Sequence, residues 1–305
     1  MVDYKEFTSK LPAIEPVSYF SSDYLDPINI RTADTIERDQ AIIKIVMSLL
    51  DTPHSLAGAS RAKEWESGWL ENYQQFQNTH DAKSLIPKYY GKYPFLRFTG
   101  DIQIALHKDA EYNSVRMLMH YIYERFLAPS ENIIELGCGT GHHLYQLADI
   151  DSTRHFYGLD WSHSSQKILG LYQQLHPSQR ITAKEIDFFS PPIDSQYIPH
   201  DSAIYTFAAL EQIGADHDKI IDFMIAARPR VVVHLEPIYE LMNQEILLEY
   251  LSAKYFLKRN YLSGFLSNLL RKQDKGKIKV HFQEKTGVGS LFIEGYSLIV
   301  WSPNL

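Results

Sequence analysis

Two patterns of apolar positions divide the chain. Over roughly the first 128 residues apolar side chains recur at intervals of three and four, as in helices that bury one face. After a candidate cap at Asp34, the residues Ile36, Ile42, Ile43, Ile45, Val46, Leu49 and Leu50 mark an amphipathic helix. It stops near Asp51-Thr52-Pro53, because proline lacks the N–H and clashes with the preceding turn. A second helix spans Ala59 to Gln77, and its Trp65, Trp69, Tyr73 and Phe76 form a stripe that predicts core packing. From Asn132 onward the pattern changes to short apolar runs, at Asn132 to Gly137, His155 to Asp160, Ile181 to Phe188, Ser202 to Leu210 and Arg230 to Leu235. These alternate with stretches long enough for helices, which predicts a parallel sheet covered on both faces with right-handed crossovers. Two closing segments, Lys277 to Glu284 and Ser290 to Trp301, have no helix between them and meet through Gly287-Val288-Gly289, so they predict an antiparallel hairpin.

The expected architecture is α/β: a doubly wound, mostly parallel seven-stranded sheet with a C-terminal antiparallel hairpin, plus an N-terminal helical layer. Residues 1–128 form the helical, substrate-selecting cap and residues 129–305 the core. A helical insert, 238–276, has helices over Glu249 to Arg259 and near Phe265 to Arg271.

Composition narrows this only slightly. At 305 residues, 45% hydrophobic and 22% charged, the chain has the make-up of a folded globular protein of one large or two moderate domains. The net charge of -7 disfavours broad electrostatic binding of nucleic acid. A lone cysteine, Cys138, cannot form an intramolecular disulfide, which fits a reducing compartment. The first residues, Met1 to Glu6, lack the basic start and apolar stretch of a signal peptide, and no apolar run approaches ~18 residues. The expectation is a soluble cytoplasmic protein that engages no membrane. Thirteen histidines show no metal-ligand spacing, and the adjacent pair His142-His143 is expected to point in different directions on a helix, so no metal site is expected.

The strongest chemical signal is Glu135-Leu136-Gly137-Cys138-Gly139-Thr140-Gly141, lying between an apolar strand and the helix-like stretch His142 to Ala148. Small residues there let the backbone turn sharply and approach a ligand. A dinucleotide fingerprint would need glycine at His142; the glycines instead alternate as G-x-G-x-G. With this motif the sequence resembles the class I S-adenosylmethionine-dependent methyltransferases, which share a Rossmann-like sheet. Three further elements follow in the family's order: Asp160-Trp161 after the next strand, Asp187-Phe188 after the third, and Tyr205 to Ile213 at the fourth. The resemblance implies that Glu135, Gly137, Cys138, Gly139 and Gly141 surround S-adenosylmethionine. It further implies that Asp160 accepts the ribose hydroxyls, that Asp187 faces the adenine amine, that Phe188 or Trp161 supplies an apolar wall to the ring, and that Phe207 also contacts the cofactor. In related enzymes tyrosines or arginines of the leading segment touch the cofactor's carboxylate, which nominates Tyr112, with Tyr89, Tyr90 and Arg97 as further candidates. The chain has Gln212 where the family often has a histidine, so a general base is not carried over to that position.

His234 and Glu236 share one side of the fifth strand near its end and are the expected catalytic pair, positioning the acceptor or removing its proton. Either of His142 and His143 is a further candidate. The expected reaction is methyl transfer to nitrogen or oxygen of a small polar metabolite, sugar derivatives included, with S-adenosylhomocysteine as product. The segment with Lys254, Lys258, Arg259, Arg271, Lys272, Lys275, Lys277 and Lys279 against the single acid Asp274 reads either as a solvated surface or as a grip for an acidic acceptor. A non-catalytic cofactor-binding scaffold and a nucleotide-dependent oxidoreductase are the competing readings.

Overall fold

The computed structural model describes residues 1–12, 20–193, 195–293 and 296–304. The chain opens with α1 (Tyr4–Lys10), β1 (Ile30–Thr32), α2 (Thr35–Asp51) and α3 (Ala62–Thr79). Then come β2 (Phe95–Phe98), β3 (Asp101–Ala105) and α4 (Ala110–Ile122), which ends in a π-helical turn, Tyr123–Leu127. Asp34 caps α2 in a reciprocal box with Glu37, and the helix stops after Asp51, as the sequence predicts.

The core alternates strand and helix: β4 (Asn132–Leu136), α5 (His142–Ile150), β5 (His155–Asp160), α6 (His163–Leu175), β6 (Arg180–Glu185), β7 (Ser202–Phe207), α7 (Asp218–Ala227) and β8 (Val231–Glu236). Helices α8 (Leu247–Arg259) and α9 (Phe265–Asp274) precede β9 (Ile278–Lys285), β10 (Gly289–Ser290) and β11 (Ser297–Pro303). The seven-stranded sheet has the order β6-β5-β4-β7-β8-β11-β9, parallel through β8 and antiparallel at its last two pairings.

Alternation along the inner strands puts successive residues on opposite faces, and this builds two cores. Ile133, Tyr205 and Val233 pack with α4, α5 and α6 on one face, while Ile134, Ile204 and Val232 pack with α7 and α9 on the other.

Two expectations are revised. The N-terminal layer carries strands as well as helices: β1, β3 and β2 form an antiparallel sheet that is completed by β10. The connection between β9 and β11 is therefore more than a turn, since it lends Gly289 and Ser290 to the cap; residues 294–295 of the expected closing strand lie outside the described residues. The insert is also split. Leu248 and Leu251 of α8 pack against Ala41 and Ile45 of α2, whereas α9 lies under the main sheet. Among the described residues no helix is long and apolar enough to cross a membrane.

Candidate functional site

The loops after β4, β5, β6 and β7 leave the same edge of the sheet and enclose, with α3, a cavity of about 500 Å³. Gly137 (φ 76°) and Gly139 (φ 52°) make the turn after β4 in a conformation that side chains rarely adopt. A Cβ on Gly137 would sit 2.4 Å from the Cβ of Ala209, and one on Gly139 would sit 2.9 Å from the Trp69 ring. The glycines thus admit the neighbouring loop and the helix above. Cys138 lines the cavity between them. Gly141 does not line it: a Cβ there would meet Tyr145 and Leu169, so this residue serves the packing of α5.

Asp160 ends β5 at the cavity wall. Its Oδ2 accepts the Gly139 N–H (2.8 Å) and its Oδ1 the Ser162 N–H (2.9 Å). Burial pushes its carboxyl up to about 6, against the pull of those two donors. Asp187 is exposed at the next strand end and accepts the Phe189 N–H at 2.9 Å. Trp161, Phe188 and Phe207 also line the cavity. The sequence motifs converge here because the loops leave adjacent parallel strands.

The expected catalytic pair does not face this cavity. His234 is fully buried beneath the sheet, edge-on to Phe265 of α9. Its Nε2 accepts the Trp301 indole N–H at 2.9 Å, so a neutral ring carries its proton on Nδ1 and donates to Thr206 Oγ1, also at 2.9 Å. No lone pair remains for a substrate, and burial holds the ring's pKa down at about 3. Glu236 instead braces the loop after β7: it accepts the N–H groups of Ala209 (3.0 Å), Leu210 (3.1 Å) and Glu211 (3.3 Å). Both residues have the expected type at a strand end, but the bonds they make are structural.

Tyr112 also stands back from the cavity, its ring 6.3 Å from that of His142, which occupies the wall. Arg97 is fully buried and donates to the Leu291 carbonyl at 3.2 Å, joining β2 to the segment after β10. Tyr90 packs on Tyr112, whereas Tyr89 reaches the cavity rim. None of the basic residues of 254–279 lines the cavity. Lys258 caps α2 through the carbonyls of Ser48, Leu49 and Thr52, and Lys272 pairs with Asp222 and Asp218.

Three features escape the sequence reading. Trp65 and Trp69 do not enter the core; stacked with centroids 5.4 Å apart, they roof the cavity, and only Phe76 of that stripe is fully buried. Helix α3 is latched at two sides. Gln212 Oε1 accepts from Arg61 (2.6 Å) and the Trp65 indole (3.3 Å), and Glu66 accepts from the hydroxyls of Ser162 (2.5 Å) and Ser164 (2.7 Å). Helical periodicity locates the stripe but not the point where the pocket edge crosses it.

The third is the shared direction of His142 and His143 at the start of α5: the sequence nominates both residues but predicts that they diverge. His142 and His143 both line the cavity with ring centroids 3.9 Å apart, because the helix begins at the cavity floor and neighbouring first-turn residues reach the same space. His143 Nδ1 lies 2.9 Å from Glu135 Oε1, and His142 Nδ1 lies 3.2 Å from the Thr140 hydroxyl, which itself donates to the Leu85 carbonyl. The Nε2 atoms of both rings and Oε2 of Glu135 are buried without a partner. Burial drives His143 down to about 3 and the Glu135 carboxyl well above its ordinary value.

No family model matches the chain, and no curated protein matches its sequence. Solved structures that match include magnesium protoporphyrin IX methyltransferase from Synechocystis PCC 6803, at 15% identity over 65% of this chain and 85% of that one, with a TM-score of 0.46. The plantazolicin methyltransferase matches at 12% identity over 80% and 98% of the two chains, with a TM-score of 0.44. An O-methyltransferase from neocarzinostatin biosynthesis matches at 13% over 79% and 70%, also with a TM-score of 0.44. At these identities the likeness is one of fold.

Proposed function

We propose that the chain transfers a methyl group from S-adenosylmethionine to a nitrogen or oxygen of a small polar metabolite. The observation that carries this reading is the convergence, on one cavity, of the glycine turn after β4 with Asp160 and Asp187 at the two neighbouring strand ends. The donor set fits the cofactor. Five acidic side chains, Glu66, Glu135, Asp160, Glu185 and Asp187, line the cavity, and no Lys or Arg does among the described residues; burial favours the neutral form of Glu135, so the negative charge rests on the other four, which suits a ligand of net positive charge. Asp160 would hold the ribose, Asp187 the adenine amine, and Trp161 and Phe188 the ring faces. When bound, S-adenosylmethionine supplies a methyl whose C–S bond breaks with its electron pair moving to sulfur as the acceptor's lone pair bonds to carbon.

The protein's own contribution is placement. A roof of Trp65 and Trp69, latched through Gln212 and Glu66, keeps water from the cavity and holds an acceptor in one orientation, and orientation alone is worth up to ~7–11 kcal/mol. The volume, about 500 Å³, lies in the range of small-molecule sites. Calorimetric titration with S-adenosylhomocysteine tests the reading. Binding is expected, weakened at least ~10-fold in Asp160→Ala, since each charge-assisted bond is worth roughly 1.5–3 kcal/mol. No binding to the intact protein overturns the reading.

A further inference from the structure

Helix α2 carries more apolar side chains than its buried face uses. Ala41 and Ile45 are fully buried against Leu248 and Leu251 of α8, whereas Ile36, Ile43, Met47 and Leu50 remain 70%, 56%, 56% and 75% exposed. We propose that this second stripe is a docking face for another copy of the chain, with two α2 helices pairing in parallel about a two-fold axis.

Spacing comes first. Together with Gln40, which is also exposed, these residues recur at alternating intervals of four and three, the seam of a two-stranded coil. At the helical repeat of 3.6 residues per turn the seam lies opposite Ala41 and Ile45, so it points away from the body of the molecule. Apolar residues scattered singly over a surface are ordinary, but a continuous apolar stripe marks a site of association. The helix is already fixed by its capping box and by its contact with α8, so docking another copy on it costs little ordering.

Charge names the occupant and its direction. On one flank of the seam Asp39 is exposed and forms no ion pair among the described residues. On the other flank Lys44 is exposed, its ammonium 4.9 Å from the centroid of the Tyr93 ring, and an ammonium over a ring keeps N–H donors for a second partner. Parallel pairing sets Asp39 against the partner's Lys44, five residues further on, and the two-fold axis makes that contact twice. Antiparallel pairing would instead set Lys44 against the partner's Lys44, and Glu37 against the partner's Asp51, like charge against like. In the parallel pair Gln40 meets the partner's Gln40 at the axis, where each amide donates to and accepts from the other. A single polar position in an apolar seam fixes the register. The seam thus complements itself, and a second copy is the occupant it fits.

One pair of 17-residue helices buries less than the ~1,200–2,000 Å² of stable interfaces, so the dimer is expected to be a weak one, with a micromolar dissociation constant. Sedimentation velocity of the full chain from about 1 to about 100 μM is expected to show monomer giving way to dimer. Met47→Glu, at an exposed position outside the cavity, is expected to stay monomeric over that range while keeping the melting temperature of the dilute parent. Asp39→Lys alone is expected to weaken the dimer roughly 10-fold, and Asp39→Lys with Lys44→Asp to restore it. Under oxidation Leu50→Cys is expected to give a disulfide-linked dimer, because only parallel pairing brings that end of both helices together, and the native Cys138 is buried. A parent that stays monomeric at the highest concentration, a charge swap that fails to restore the dimer, or no cross-link at Leu50→Cys overturns the proposal. Flotation of the parent with phosphatidylserine vesicles, abolished by Met47→Glu, would give the stripe to a membrane surface and overturns it too.

Discussion

His234 occupies a place where its protonation matters to stability rather than to chemistry. Its ring is neutral in the fold and held at about 3, against an ordinary value of about 6.5 for the unfolded chain. The unfolded state therefore takes up a proton below about 6.5 that the folded state refuses. The contribution of this residue is intact above that pH and is lost as pH falls toward 3, at ~1.4 kcal/mol per unit. His234→Gln is expected to lower stability at pH 7, because Trp301 and Thr206 lose their partner, yet to narrow the gap to the parent by about 2 kcal/mol at pH 5. Urea unfolding at the two pH values measures this, and a constant gap refutes it. Asp160 and the glycine turn could be read from sequence, since their roles follow from strand ends and backbone freedom. The fate of His234 could not: its residue type and strand-end position suit catalysis, and only the packing of α9 beneath the sheet and the Trp301 ring of the neighbouring β11 close it off.

Among the elements, α2 and α8 are joined by their apolar contact and by Lys258, whose ammonium group answers three carbonyls at the end of α2. Lys258→Met keeps the side chain's apolar stem but takes the ammonium from the Leu49 and Thr52 carbonyls, leaving His54 as the partner of Ser48, at a cost of ~1–2 kcal/mol. A lower melting temperature with unchanged affinity for S-adenosylhomocysteine is expected by calorimetry; weaker cofactor binding would return this residue to the site. Helices of this layer were legible because α2 carries its own signals, the Asp34 cap and the proline stop. The strands β1, β2, β3 and β10 were not: at two to five residues they are too short for a period to show, and β1 and β10 pair with partners remote in sequence.

On the scale of the whole molecule, the sequence suggested a cap, 1–128, and a core, 129–305, and we propose that they unfold as one. A single apolar cluster holds Phe7, Ile28, Leu96 and Phe98 of the cap together with Ile133, Phe156 and Tyr205 of the main sheet. Scanning calorimetry is expected to give one transition whose calorimetric and van't Hoff enthalpies agree, and two resolved transitions would contradict it. The seven-stranded core was legible as strands alternating with helices. The extent of its union with the cap was not, because contacts between layers leave no periodic trace in either.

The pairing of Gly289 and Ser290 with Arg97 and Leu96 also sets an order of events. During synthesis the strands β1, β2 and β3 emerge long before their fourth partner, because β4 to β9 are all made in between. Until then β2 presents an unpaired edge, and an unpaired edge invites association with other chains. A nascent chain can assemble the strands that carry the glycine turn and Asp160 early, but the cap sheet is completed only once Gly289 and Ser290 have emerged. Chaperone demand for this protein should accordingly be concentrated in that interval.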